Sequence, residues 1–201
     1  TGQPLGDLVV NARERGADKY DAALTFENGP NTLDAKILYD GTPSTATIDA
    51  HADIGLTDMA FLQPFVSGVL YDLGGGLIGT VDWASTSHGK ELRGDLTFKN
   101  AEVGMVMTGA KYRLKNERMI ADEAGFRFDD LTVLDSLGNA FTLDGQVFTN
   151  NLASMRFDLT LRTNSFQLVN SAPDPKAFFY GDLLASADLR VTGTDKAPVV
   201  K

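Results

Sequence analysis

The chain has 201 residues, 27 acidic and 18 basic side chains and a net charge of −9, which would repel a phosphate backbone. No cluster of cations offsets that repulsion, so nucleic acid is not expected as a partner, and adsorption to anionic lipid surfaces is disfavoured. Cysteine is absent, so disulfides, thiolate metal sites and cysteine nucleophiles go together.

The chain opens at Thr1 in mid-pattern and closes at Lys201 just after another pattern begins, which reads as a piece of a longer protein. No run approaches the roughly 18 apolar residues of a membrane-spanning helix. Period-two alternation starts early, with Tyr20, Ala22, Leu24 and Phe26, then Leu33, Ala35, Ile37 and Tyr39, then Ala46, Ile48, Ala50 and Ala52. Residues 56–71 break the rule. Met59, Leu62, Val66, Val69 and Leu70 fall at helical spacing, Thr57 or Asp58 can cap the start, and Pro64 would kink a helix begun before about Phe61. This short amphipathic helix is expected to seal the end of a β core, since it lacks the Lys/Arg face of a membrane-docking helix.

Alternation resumes with Leu92, Leu96 and Phe98, and continues through Phe126 and Phe128, Leu131 and Val133, and Phe141, Leu143 and Val147. It ends with Met155, Phe157, Leu159 and Leu161, Phe166 and Leu168, and Leu183 to Val191. Turn signals stand between the runs at Glu27-Asn28-Gly29-Pro30, Asp40-Gly41-Thr42-Pro43, Lys115-Asn116-Glu117 and Leu137-Gly138-Asn139. Connections this short cannot cross over between parallel strands, so the fold is expected to be all-β, a mostly antiparallel meander of roughly fourteen to seventeen strands. A weak repeat (Gly6-Asp7-Leu8, Gly94-Asp95-Leu96, Gly181-Asp182-Leu183, with Gly79-Thr80-Val81 and Gly145-Gln146-Val147) places a glycine at the head of each run, where a strand could bend or a backbone approach closely.

Catalytic motifs are missing. His51 and His88 are the only histidines, and no calcium-loop spacing of acids occurs. His51 shares a strand face with Asp49 and Asp53, but that face alternates against an apolar one and is expected to be solvated. Asp129 and Asp130, with Asp135 nearby, could be cast as a glycosidase dyad, yet neighbours on a strand point to opposite faces. Gly74-Gly75-Gly76 lacks the GK[ST] ending of a phosphate loop and reads as a strained turn. No enzyme activity, metal or cofactor is expected. Twelve phenylalanines against one tryptophan suit a smooth apolar interior rather than a carbohydrate-stacking surface, for which only Trp83 is available.

From Leu62 onward the chain resembles the C-terminal domain of the TamB family, the inner-membrane-anchored component of the translocation and assembly module, among the AsmA-like bridge proteins. The resemblance is carried by Leu62-Gln63-Pro64-Phe65, the Gly79-Thr80-Val81 strand, Leu92-Arg93-Gly94-Asp95-Leu96-Thr97-Phe98-Lys99-Asn100-Ala101 and Tyr112-Arg113-Leu114. It continues in Phe128-Asp129-Asp130-Leu131-Thr132-Val133-Leu134-Asp135, Gly138-Asn139-Ala140, Leu143-Asp144-Gly145, Ala185-Ser186-Ala187, Val191-Thr192-Gly193-Thr194 and Pro198. Phe179-Tyr180-Gly181-Asp182 resembles a Bacteroidetes-type member. Residues 1–55 match less well and join the same sheet by alternation; 56–71 form the helix; 72–201 form the TamB C-terminal-type domain.

The resemblance implies a sheet folded lengthwise into an open trough with an apolar lining, the β-taco, as a periplasmic bridge segment through which phospholipid acyl chains pass between inner and outer membranes. It also implies a periplasmic location in a Gram-negative bacterium and an Omp85-class barrel, TamA or BamA, as outer-membrane partner. Alternation and resemblance together give the expected groove lining as Leu96, Phe98, Tyr112, Leu114, Phe126, Phe128, Leu131, Val133, Phe141, Leu143, Val147, Phe157, Leu159 and Leu161. The rival readings are a scaffold offering strand edges to nascent outer-membrane barrels, a carbohydrate-binding sandwich, and a barrel in its own right. The last is disfavoured because most runs read as shorter than the 9–11 residues such strands need.

Overall fold

Among the described residues every hydrogen-bonded strand neighbour is antiparallel, and all belong to one sheet. The computed structural model describes residues 6–42, 44–86, 89–150, 154–173 and 180–201, so that Pro43, His88 and Phe179 lie outside the described residues. Its first strands are β1 (Asp7–Gly16), β2 (Lys19–Asn28), β3 (Asn31–Asp40) and β4 (Thr47–Leu56). A 3-10 turn, Met59–Leu62, then runs into the one-turn helix α1 (Gln63–Val66). The remaining strands are β5 (Leu70–Thr86), β6 (Gly89–Met105), β7 (Lys111–Leu114), β8 (Arg118–Asp122), β9 (Gly125–Asp135), β10 (Ala140–Asn150), β11 (Ser154–Ser171), β12 (Gly181–Thr194) and β13 (Ala197–Val200).

The expected all-β antiparallel meander is thus what forms, with 13 strands among the described residues rather than fourteen to seventeen. The count falls because strands are long: β5 and β6 have 17 residues each and β11 has 18. The argument against a barrel from short runs therefore fails, and openness takes its place. Among the described residues β1 pairs only with β2 and β13 only with β12, so the sheet does not close.

Lys115-Asn116-Glu117 is not a hairpin turn. Ala101 pairs with Leu114 and Thr97 with Arg118 on the same side of β6, so β7 and β8 are one interrupted strand in continuous register. The carbonyls of Lys115 and Glu117 accept the amides of Asn100 and Phe98, and the Glu117 carboxylate accepts the Thr132 amide, which keeps the ladder satisfied across the gap. Gly74-Gly75-Gly76 is likewise no turn but a bulged stretch inside β5; Gly75 has φ +70°, and a Cβ there would be driven into the Asn100 carbonyl. Nor do glycines regularly head the strands, because Gly79, Gly94 and Gly145 stand inside β5, β6 and β10.

The helical segment is shorter than residues 56–71. Asp58 caps it by accepting the Ala60 amide at 2.9 Å, and the change from 3-10 to α geometry comes at the turn containing Pro64, which has no amide to give. The buried Asn31 side chain accepts the amides of Thr57 and Asp58 and fixes the chain's exit from β4. Met59 is buried with Leu56 and Ala101, flanked by Phe61, Leu62, Leu77, Phe98 and Leu114, and Phe61 stacks on Phe26 at 5.2 Å. The segment seals one end of the β core, as its spacing predicts.

Candidate functional site: the apolar face of the sheet

Cross-strand register decides which side chains share a face. From Leu8 the pairings run to Phe26, Leu33, Ile54, Gly79, Leu96, Met119, Phe128, Gly145, Leu159, Val191 and Val200. A parallel row two residues on runs from Val10 through Leu24, Ala35, Ala52, Val81, Gly94, Ala121 and Phe126 to Val147, Phe157 and Gly193. Thus one apolar face continues without a polar interruption from one edge of the sheet to the other.

All fourteen expected lining residues are placed on this face, although simple alternation would have split them. Phe98 and Ala101 differ in parity, as do Phe128 and Leu131. Between each pair stands a non-glycine residue in left-handed geometry, Asn100 at φ 46° and Asp130 at φ 48°, and each adds the bulge that restores the apolar side chains to one side. Asp72 and Ser165 make the same correction in β5 and β11, and asparagine and aspartate are among the few side chains that adopt this geometry readily. In β11 a second register shift, between Gln167 and Val169, undoes the expected Phe166 and Leu168 pair: Phe166 and Val169 are buried, whereas Leu168 is exposed.

The face is curled inward at the end that carries α1. Tyr112 of β7 and Phe166 of β11 are three strand positions apart, about 14 Å in a flat sheet. Their rings nevertheless stack at 5.3 Å, with Phe141 against Phe166 at 5.6 Å. A polar clasp holds this corner. Asp135 is fully buried and accepts the amides of Leu137, Asn139 and Gln167 and the side-chain amide of Asn139, at 2.8 to 3.0 Å. Burial by itself would push its carboxyl up, but these donors outweigh burial and hold it below the ordinary carboxylate range. Gln167, also buried, bonds Asp182 and Ser136, and the Asn170 amide reaches Thr108 across the turn after β6.

Away from this lip the face is not covered. Only seven hydrophobic residues among those described are buried, and the accessible surface of 12502 Å² exceeds the roughly 9,200 Å² of a compact globule of this mass. Trp83 is half-buried on the apolar face, opposite Ala50 and Leu92.

The other face is laced with ion pairs: Arg13 with Asp21, Arg118 with Asp95, Arg190 with Asp158, Arg162 with Asp188 and Arg93 with Glu123. His51 lies here, half-exposed, on the same strand face as Asp49 and Asp53, 2.6 Å from Asp82 and 3.4 Å from Asp53, and the Asp82 hydrogen bond leads the effects that raise its pKa above 6.5. Asp129 and Asp130 are exposed on β9, where the Asp130 amide donates to Asp144. The bulges and the Asp135 clasp were missed in sequence; the one available signal was an Asp or Asn standing where the apolar period slips by one.

No curated protein and no solved structure matches the chain significantly. The region from Gly125 to Lys201 comprises β9 to β13, five of the twelve strand positions of the face described above, and contains Asp135, Asn139 and Gln167 of the clasp. Residues 129–201 match the family model of the TamB C-terminal domain, the family that the sequence resembles, and residues 62–128 lie outside that match.

Proposed function

We propose that this domain is a segment of a periplasm-spanning bridge between inner and outer membranes, and that its apolar face carries phospholipid acyl chains. The single observation that supports the reading most is the register-continuous apolar face, open to solvent beyond the α1 lip. Such a surface is worth about 25 cal/mol per Å² to any apolar chain that covers it, and it asks for no catalytic group. An Omp85-class barrel such as TamA or BamA is the proposed outer-membrane partner. The test is native mass spectrometry with lipid extraction on the purified domain. Bound phospholipid that is lost in a folded Phe128→Asp/Leu143→Asp variant is the expected result; lipid retained by that variant, or a clean apo mass with no uptake of added lipid, would overturn it.

A second reading, an assembly scaffold for outer-membrane barrels, is favoured by one feature. Among the described residues β1 is an edge strand whose first half exposes Leu8, Val9 and Val10 with no proline, while the charges that blunt such an edge, Arg13, Glu14 and Arg15, are confined to its second half. Crosslinks from β1 to a nascent barrel, with no lipid on the apolar face, would move the assignment there.

A further inference from the structure

The connections at the two ends of the strands differ in chemistry. At the end away from α1, the described connections Ala17-Asp18, Gly41-Thr42, Ser44 to Ala46, Glu123-Ala124 and Asp195-Lys196 carry no large apolar side chain. At the α1 end, Phe65 is 70% exposed, Val69 64%, Val106 48% and Met107 71%, and Leu137 on the next turn is 62% exposed. The Val106 amide donates to the Val69 carbonyl at 3.0 Å, so the α1 connection and the β6 to β7 turn form one tip. Met59, Phe61 and Leu62 of the same segment face inward, which leaves Phe65 and Val69 with no partner in the core.

We propose that this tip docks the domain on the surface of a neutral phospholipid bilayer, with Phe65, Val69, Val106 and Met107 entering the interfacial region. Three features favour a lipid surface over a protein. The apolar side chains stand on separate connections, which a fluid interface accepts without shape complementarity. None brings a polar group that must be matched. The tip also continues through Phe61 and Leu62 into the packed cluster on the apolar face, so it is the edge of that face nearest any bilayer it touches. Neutral rather than anionic lipid follows from charge: Lys111 beside the turn is ion-paired with Asp72, and the chain as a whole carries −9. The purpose of docking, passage of acyl chains between bilayer and face, rests on the function proposed above; the docking itself does not.

The test is flotation with phosphatidylcholine vesicles. Phe65→Ser/Met107→Ser alters only exposed side chains, so the fold is retained, and its vesicle partition coefficient should fall at least about tenfold on the apolar area withdrawn. Phe128→Asp/Leu143→Asp should float like the parent protein. A parent protein that does not float, or a tip variant that floats equally well, overturns the proposal, as does a tip that crosslinks to protein while ignoring vesicles. A parent protein that floats but carries no lipid leaves docking standing while the conduit reading fails; one that carries lipid but does not float does the reverse.

Discussion

Replacing Asp135 with alanine tests whether a buried carboxylate, rather than apolar packing alone, holds the curl of the sheet. The substitution strands four donors. The Gln167 amide belongs to a residue only 3% exposed, so it bears the full cost of an unmet buried donor, about 1–3 kcal/mol. The amides of Leu137 and Asn139 lie in a turn that water reaches, and their losses are nearer about 0.5 kcal/mol each. Allowing for non-additivity within one network, urea denaturation should show a loss of about 2–4 kcal/mol, and hydrogen exchange should quicken first at Gln167. Because the carboxyl's pKa is depressed in the folded state, its contribution is present above 3.8 and is lost as pH falls through the folded value. Parent and variant should therefore converge in stability in acid. A loss below about 1 kcal/mol at neutral pH, or a difference that persists in acid, would refute the clasp.

The other tests are simpler. His51 should titrate above 6.5 by NMR, and Asp82→Asn should bring it down; since the folded pKa is raised, the stability it lends is present below 6.5 and lost as pH rises through the folded value. An unchanged titration in the variant would mean that the 2.6 Å contact is not formed in solution. Gly75→Ala should cost about 2–4 kcal/mol from left-handed strain plus the clash with the Asn100 carbonyl, and a loss under about 0.5 kcal/mol in urea denaturation would mean that β5 is not bulged there.

Fold class was legible because a period of two is a direct image of strand geometry: Tyr20 to Phe26 and Leu33 to Tyr39 alternate in sequence and pair face to face in space. The helical segment was legible for the same reason, through Met59 and Leu62, and Asp58 for its cap. What alternation could not convey is a change of phase. Asn100, Asp130 and Ser165 each insert one residue, and polar side chains able to adopt left-handed geometry at those points look, in sequence, like ordinary turn residues. The Lys115-Asn116-Glu117 misreading has the same origin, since three polar residues mark a reversal or an in-line break equally well. The Asp135 clasp was invisible because three of its four donors are backbone amides, which every residue but proline carries.

The length of the apolar face separates a conduit from a single-lipid carrier. β7 and β8 share one position, so the sheet has twelve, and eleven spacings of about 4.8 Å give a face about 53 Å long across the strands. One leaflet of hydrocarbon is about 15 Å thick, half of a bilayer core of about 30 Å. The face is thus over three times longer than one extended acyl layer, and the two apolar rows, which carry only small residues at Gly79, Gly94, Gly145 and Gly193, offer no wall to stop a chain at one place. A surface without an internal stop should load progressively: native mass spectra at rising phospholipid concentration should show states with one, two and more lipids, with no plateau at one. A sharp limit of one lipid per chain would mean that the α1 lip and the Tyr112–Phe166 corner enclose a discrete binding site, and the bridge reading would give way to that of a carrier.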